Sequence, residues 1–198
     1  MRRGGGFWKN GYWYDLNVDR RMPLVMPMLE EMLVALPPLT DQTAVCDLAC
    51  GTGNAGCSVM SAYPMAHLTL IDENPDLLAL ARAKISEIQV DVKAIQATIS
   101  ADGEPLPGAP YDVILAALSL HALVGHHVDG PEADGRYELL FQGIRDSLVP
   151  GGHIIIGDHV GTLGLFRQMK ALERASFVDV DCAWRQDDFF VCGGRVSF

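Results

Sequence analysis

No apolar run in this chain approaches the roughly 18 residues that a membrane-spanning helix needs. Arg2 and Arg3 stand near the start, but polar and aromatic residues follow them instead of an apolar stretch, so no secretory signal is read. Lys and Arg never cluster and the net charge is −10, which removes the electrostatic footprint of a nucleic-acid binder. The five cysteines, Cys46, Cys50, Cys57, Cys182 and Cys192, contain no C-x-x-C pair. An odd count without a framework predicts a reducing, cytoplasmic setting and argues against a cysteine-based zinc site. Repeats, linkers and low-complexity segments are also missing. What remains is 198 residues, 49% apolar and 20% charged, enough for one α/β domain with its own core. An acidic chain of this kind suits an enzyme of small molecules, with a mild preference for neutral or cationic substrates.

The most informative stretch runs from Val45 to Gly56, Val-Cys-Asp-Leu-Ala-Cys-Gly-Thr-Gly-Asn-Ala-Gly. Its first residues predict a short buried strand. Gly51 and Gly53 permit a left-handed backbone and let a ligand approach the bare chain. A helix over 54–62 then points its free N–H groups at whatever lies over the glycines. The glycine spacing fits a dinucleotide fingerprint, but Asp47 at the strand end repels a pyrophosphate and suits an amino group or hydroxyls. Further on, Ala66 to Ile71 predicts a second strand ending at Asp72, 21 residues past Gly51, where one carboxylate can accept from two ribose hydroxyls. Asn74 caps the next helix, over 76–88, and Pro75 fits its first turn. A third strand is expected over 92–99.

Tyr111 to Leu123 is the second strong signal, a buried strand over 113–118 that leads into small and polar residues. His121, His126 and His127 follow it, as a candidate base or, less convincingly, a metal group, because no carboxylate follows at close spacing. A polar loop is expected over 128–135 and a helix over 137–148. Leu148-Val149-Pro150-Gly151-Gly152 then turns into a strand over 153–157 that ends at Asp158-His159. A short connection over 160–163 precedes a helix over 164–175. Two last strands, over 176–183 and 189–195, are joined by a five-residue turn. Ahead of all this, Leu24, Met28, Met32 and Leu36 mark one face of a helix over 23–36, stopped by Pro37-Pro38. Phe7, Trp8, Tyr12, Trp13 and Tyr14 crowd the segment before it, as a flap over a pocket or as surface packing.

Asp-Leu-Ala-Cys-Gly-Thr-Gly over 47–53, the strand over 113–118 and the Pro-Gly-Gly strand resemble, in order, three motifs of the class I S-adenosylmethionine-dependent methyltransferases of small molecules. That resemblance implies a Rossmann-like, seven-stranded, mostly parallel sheet with a C-terminal antiparallel strand and helices on both faces. It implies residues 41–198 as the cofactor-binding domain and residues 1–40 as an N-terminal lid or cap. S-Adenosylmethionine is the implied cofactor, with S-adenosylhomocysteine as product and a small-molecule acceptor as partner. The cofactor residues it implies are Asp47, Ala49, Gly51, Gly53, Asp72, Glu73 and Ala117. Either Thr98 or Asp102 meets the adenine amino group, and Tyr14, Arg20 and Arg21 join from the N-terminal segment. His121, His127, Asp158 and His159 are the candidate bases, with no metal, no nucleic acid, no membrane, and a monomer or homodimer expected. Three other readings stand beside it: an NAD-dependent oxidoreductase, an enzyme making a carboxylated form of the same cofactor, and a non-catalytic binder of this fold.

Overall fold

The computed structural model describes residues 10–88, 92–125, 128, 130–161 and 163–198. Two helices lead, α1 over Gly11–Arg21 and α2 over Val25–Val34. Then come β1 (Ala44–Leu48), α3 (Asn54–Ala62), β2 (His67–Asp72), α4 (Pro75–Ser86), β3 (Lys93–Gln96) and β4 (Tyr111–Ala117). The chain closes with α5 (Leu120–Val124), α6 (Gly130–Asp146), β5 (Leu148–His159), α7 (Leu165–Arg174), β6 (Phe177–Gln186) and β7 (Phe189–Val196). None of these helices is long and apolar enough to cross a membrane.

The seven strands form one sheet in the order β3-β2-β1-β4-β5-β7-β6. Only β7 runs antiparallel to its neighbours. The chain moves outward from β1 to β3, then returns to β4 on the other side of β1. That reversal opens a crevice outside the carboxyl ends of β1 and β4, the place where such sheets bind ligands.

Alternation along the strands feeds two cores. Val45, Val113, Leu115 and Ile155 face α2, α3 and α4 through Met28, Met32, Val59 and Ile85. Cys46, Ile114, Ala116, Ile154 and Ile156 face α6 and α7 through Tyr137, Phe141 and Leu172. Both faces are covered, which is why these strands read as continuous apolar runs.

Several elements differ from the sequence expectation. The aromatic segment is in part a helix, α1, capped by Asn10 Oδ1 accepting from Trp13 N at 3.1 Å and ending on Arg20 and Arg21. Its apolar residues do not form a stripe, since Tyr12, Trp13 and Leu16 are exposed. Helix α6 starts at Gly130, inside the expected loop. The Pro-Gly-Gly segment lies within β5 and not ahead of it. The final hairpin turns on Asp187 and Asp188 alone, because Gln186 pairs with Phe189. Trp184 to Gln186 read as a turn because an edge strand tolerates charged and polar residues. The C-terminal strand β7 is the antiparallel one, as expected, and it lies one place in from the edge, with β6 outermost.

Candidate functional site

Two cavities flank the glycine turn after β1. The first, about 170 Å³, has the turn residues Ala49 to Thr52 on one side and Gly11, Tyr14, Val25, Met28 and Leu29 of α1 and α2 on the other. Ala117 and Leu118 close it at the end of β4. Gly51 has φ +53, and no atom of the described residues beyond its chain neighbours lies within 4 Å of the place its Cβ would take. Burial pushes the Tyr14 hydroxyl up to about 12, with the Asp15 charge adding to it, so the phenol stays neutral.

The second cavity, about 190 Å³, is lined by Asp72 at the end of β2 and Glu73 after it, Ala97 and Ile99 after β3, and Ser119, Ala122 and Leu123 after β4. Asp72 is 8% exposed. Its Oδ2 accepts from Gly51 N at 2.7 Å and its Oδ1 from Asn74 N at 2.8 Å. Each oxygen keeps a second lone pair for a ligand. Ser119 is the other polar group here. It stands at the N-cap of α5 without capping it, and its buried Oγ has no hydrogen-bond partner among the described residues. Such an orphan at a cavity wall points to a polar group of a ligand.

The cavities meet at Ala49 and Leu118, which line both. These are two of the few non-glycine residues with positive φ, +50° and +53°. Strain of this kind gathers at binding sites. Two adjoining cavities with a bare backbone floor, an acidic strand end and an apolar far wall fit an amino acid joined to a nucleoside.

Helix α1 is fastened over the turn by charge. Asp15 Oδ2 accepts from Lys84 Nζ at 2.7 Å. Asp15 Oδ1 accepts from Thr52 Oγ1 at 2.7 Å and Asn54 Nδ2 at 3.2 Å. Lys84 Nζ also reaches Asn54 Oδ1 at 2.8 Å.

Beyond the cavities, the ends of β4 and β5 are joined by Leu118 N donating to Gly157 O at 2.8 Å. There His121 Nδ1 lies 3.1 Å from Asp158 Oδ1, and Asp158 is fully buried. His159 stacks on His121 with ring centroids 4.7 Å apart, and its other contact is the edge of Phe189. The Asp158 hydrogen bond raises the His121 pKa above the usual imidazole value, against the effect of burial.

Several expected roles change on this geometry. Asp47 is 1% exposed and sits beneath the turn, where its Oδ2 accepts from Gly56 N at 2.8 Å, so it shapes the loop from below. Burial raises its carboxyl to about 7. Gly53 faces away from the ligand side: its Cβ would lie 2.7 Å from Ala81 Cβ on α4. Thr98 and Asp102 are exposed and line neither cavity; their places are taken by Ala97 and Ile99. Asp102 Oδ1 instead accepts from Glu104 N within its own loop. Arg20 and Arg21 are exposed at the end of α1 and line neither cavity. His126 and His127 lie outside the described residues. Sequence reasoning passed over Asp15, Lys84, Leu118 and Ser119. The one local signal was Asn10 ahead of the Arg20-Arg21 pair, the cap and end of a helix.

A family model described as a methyltransferase domain matches residues 39–188. Trans-aconitate 2-methyltransferase from Escherichia coli (strain K12 / DH10B) is 28% identical over 123 residues, 61% of this chain and 42% of that enzyme. The Delftia acidovorans enzyme of the same name is 32% identical over 124 residues, 63% of this chain and 41% of its own. The matched stretch thus spans less than half the length of these relatives. Among solved structures, the human N-acetylserotonin methyltransferase in complex with S-adenosylmethionine matches at TM-score 0.67 and 18% identity, over 97% of this chain and 58% of that one. A TehB-like S-adenosylmethionine-dependent methyltransferase from Corynebacterium glutamicum matches at TM-score 0.63 and 16% identity, over 96% of this chain and all of its own. The fold, the crevice at the β1–β4 reversal and the matched domain agree: this chain belongs to the class I S-adenosylmethionine-dependent methyltransferase family.

Proposed function

We infer that this chain transfers a methyl group from S-adenosylmethionine to a small-molecule acceptor. The observation that carries the reading is the pair of adjoining cavities that share Ala49 and Leu118, with Gly51 on the floor of the first and Asp72 on the wall of the second. The methionine part belongs in the first cavity, against the backbone of Ala49 to Thr52, with Tyr14 and Ala117 on its walls. The ribose belongs at Asp72 and Glu73. The adenine belongs between Ala97, Ile99 and Leu123, with the Ser119 hydroxyl as a polar partner. When bound, S-adenosylmethionine supplies a methyl group already activated on a sulfonium, whose departure leaves a neutral thioether.

The chain's own task is then mostly to position and to exclude water. Helices α1 and α2 cover the first cavity, which supports residues 1–40 as a cap over the cofactor domain of residues 41–198. Asp47 and Asp72 fix the turn from below and from the side. The acceptor approaches where β4 and β5 end, beside His121 and His159. The same reading takes the protein as cytoplasmic, as monomer or homodimer, and as indifferent to nucleic acid. It sets aside the NAD-dependent alternative, since the family's cofactor is S-adenosylmethionine.

Calorimetry with S-adenosylmethionine, S-adenosylhomocysteine and NAD in parallel is the test. Micromolar binding of the first two, on the order of −8 kcal/mol, with no response to NAD, is expected. An acceptor screen that includes trans-aconitate follows. Binding of NAD alone would overturn the reading.

A further inference from the structure

Asp158 is a carboxylate with no exposure at all, and it is wedged between two imidazoles. Buried charges are paired with cations or ligate metals. The donor atoms of His121, Asp158 and His159 all lie within 4.8 Å of one another. His121 Nδ1 is 3.1 Å and His159 Nδ1 3.9 Å from the same Asp158 Oδ1. Two donors on one ion, with bonds of about 2.1 Å, stand at most about 4.2 Å apart. Both measured pairs already fall inside that limit; the group as a whole closes to within 4.8 Å, and the His159 ring must turn out of its stack on His121 for both imidazoles to face one ion.

The His159 ring supplies the second observation. Its Nδ1 is buried and has no hydrogen-bond partner among the described residues, although it lies 3.9 Å from Asp158 Oδ1. Among the described residues, the ring stacks on His121 and meets the edge of Phe189. Beside it, a Cβ on Gly161 would lie 3.4 Å from both His159 Nδ1 and Cε1, so a side chain there would crowd that nitrogen. The sequence disfavoured a metal because no carboxylate follows the histidines closely. The fold supplies one from the neighbouring strand, 37 residues on.

We propose that His121, Asp158 and His159 form a site for a divalent first-row transition metal. Two imidazoles and one carboxylate on one side of an ion leave its remaining positions open, and this donor set suits zinc, manganese or iron over magnesium. The site lies at the carboxyl ends of β4 and β5, beside the two cavities and separate from their walls.

The test uses the untagged full-length protein, freed of metal by chelation and titrated with Zn²⁺, with Mg²⁺ as comparison. One zinc per chain at micromolar affinity or tighter is expected, with no heat from magnesium. His159→Ala is the decisive variant, because that nitrogen has no hydrogen-bond partner among the described residues, so the fold loses only ring contacts with it. Zinc affinity falls at least tenfold in His159→Ala, and by a similar factor in His121→Ala, with the thermal midpoint of His159→Ala unchanged. Absence of zinc binding in the parent, or parent-like binding in His159→Ala, overturns the site and leaves a plain His121–Asp158 hydrogen bond. S-Adenosylhomocysteine affinity, measured on the same samples, tests the methyltransferase reading separately: its loss strikes that reading and not the metal site.

Discussion

The Gly51 amide donates to Asp72 Oδ2 at 2.7 Å, so the end of β2 pins the turn that follows β1. A single carboxylate thus sets the shape of the loop and lines the cavity beside it. Asp72→Ala should weaken S-adenosylhomocysteine binding by about 1–3 kcal/mol and lower stability as well, because two backbone N–H groups lose their acceptor. Calorimetry and chemical unfolding on the same variant read the two losses. Unchanged affinity in a folded variant removes Asp72 from the cofactor site.

Ser119→Ala should separate binding from stability in the opposite sense. The Oγ is buried without a partner, so its removal relieves the protein of an orphan and leaves stability equal or higher. Cofactor affinity drops by about 0.5–1.5 kcal/mol if the hydroxyl meets the bound nucleoside. A drop in the unfolding midpoint, with affinity intact, would mean that the hydroxyl serves the fold.

Gly51 and Gly53 should respond differently to alanine. Both have positive φ, but only Gly53 would drive a methyl group into Ala81 of α4. Gly53→Ala is expected to cost stability by about 2–5 kcal/mol, from backbone strain and overpacking together. Gly51→Ala pays the backbone term of about 1–2 kcal/mol and places its methyl in the open space over the turn, so cofactor binding weakens more than stability. Thermal unfolding with and without S-adenosylhomocysteine distinguishes the pair.

Asp15 and Lys84 should be coupled. Their side chains are each 26% exposed, so solvent screens the pair, and a double-mutant cycle should give about 1 kcal/mol or less. The clearer effect of Asp15→Ala is on helix α1, which loses its ties to Thr52, Asn54 and Lys84. Limited proteolysis should cut within residues 10–22 faster in the variant, and saturation with S-adenosylhomocysteine should slow the cut in the parent. Equal cleavage rates in parent and variant would mean that apolar packing alone holds the helix.

Asp47 gives a pH signature. Its folded pKa of about 7 lies above the ordinary 3.8, through burial. The folded protein therefore keeps a proton that the unfolded chain releases near pH 4. That contribution is full below about pH 4 and is lost as pH rises through about 7. Asp47→Asn cannot titrate, and its carbonyl can still accept from Gly56 N. The stability of the variant relative to the parent should rise between about pH 5 and about pH 8, read by urea unfolding at both. A difference that does not change with pH would place the Asp47 pKa outside that window.

The strand–turn–helix at residues 44–62, the acidic end of β2 and the cap at Asn74 were determined by sequence alone. Each is a local event: a buried apolar run, glycines that reach positive φ, an Asx cap three residues from its target. A mostly parallel sheet with helices on both faces followed as well, because alternating strands and helices leave few right-handed ways to connect. Which side chains reach the site was decided by tertiary structure. Ala97 and Ile99 line the cavity where Thr98 was expected, since neighbouring residues of an extended segment point to opposite sides and one step of register changes the face. Asp15 finds Lys84 across 69 positions, and His121 finds Asp158 across 37. No local pattern encodes those meetings; they exist because β4 and β5 end side by side and because α1 folds back over the turn.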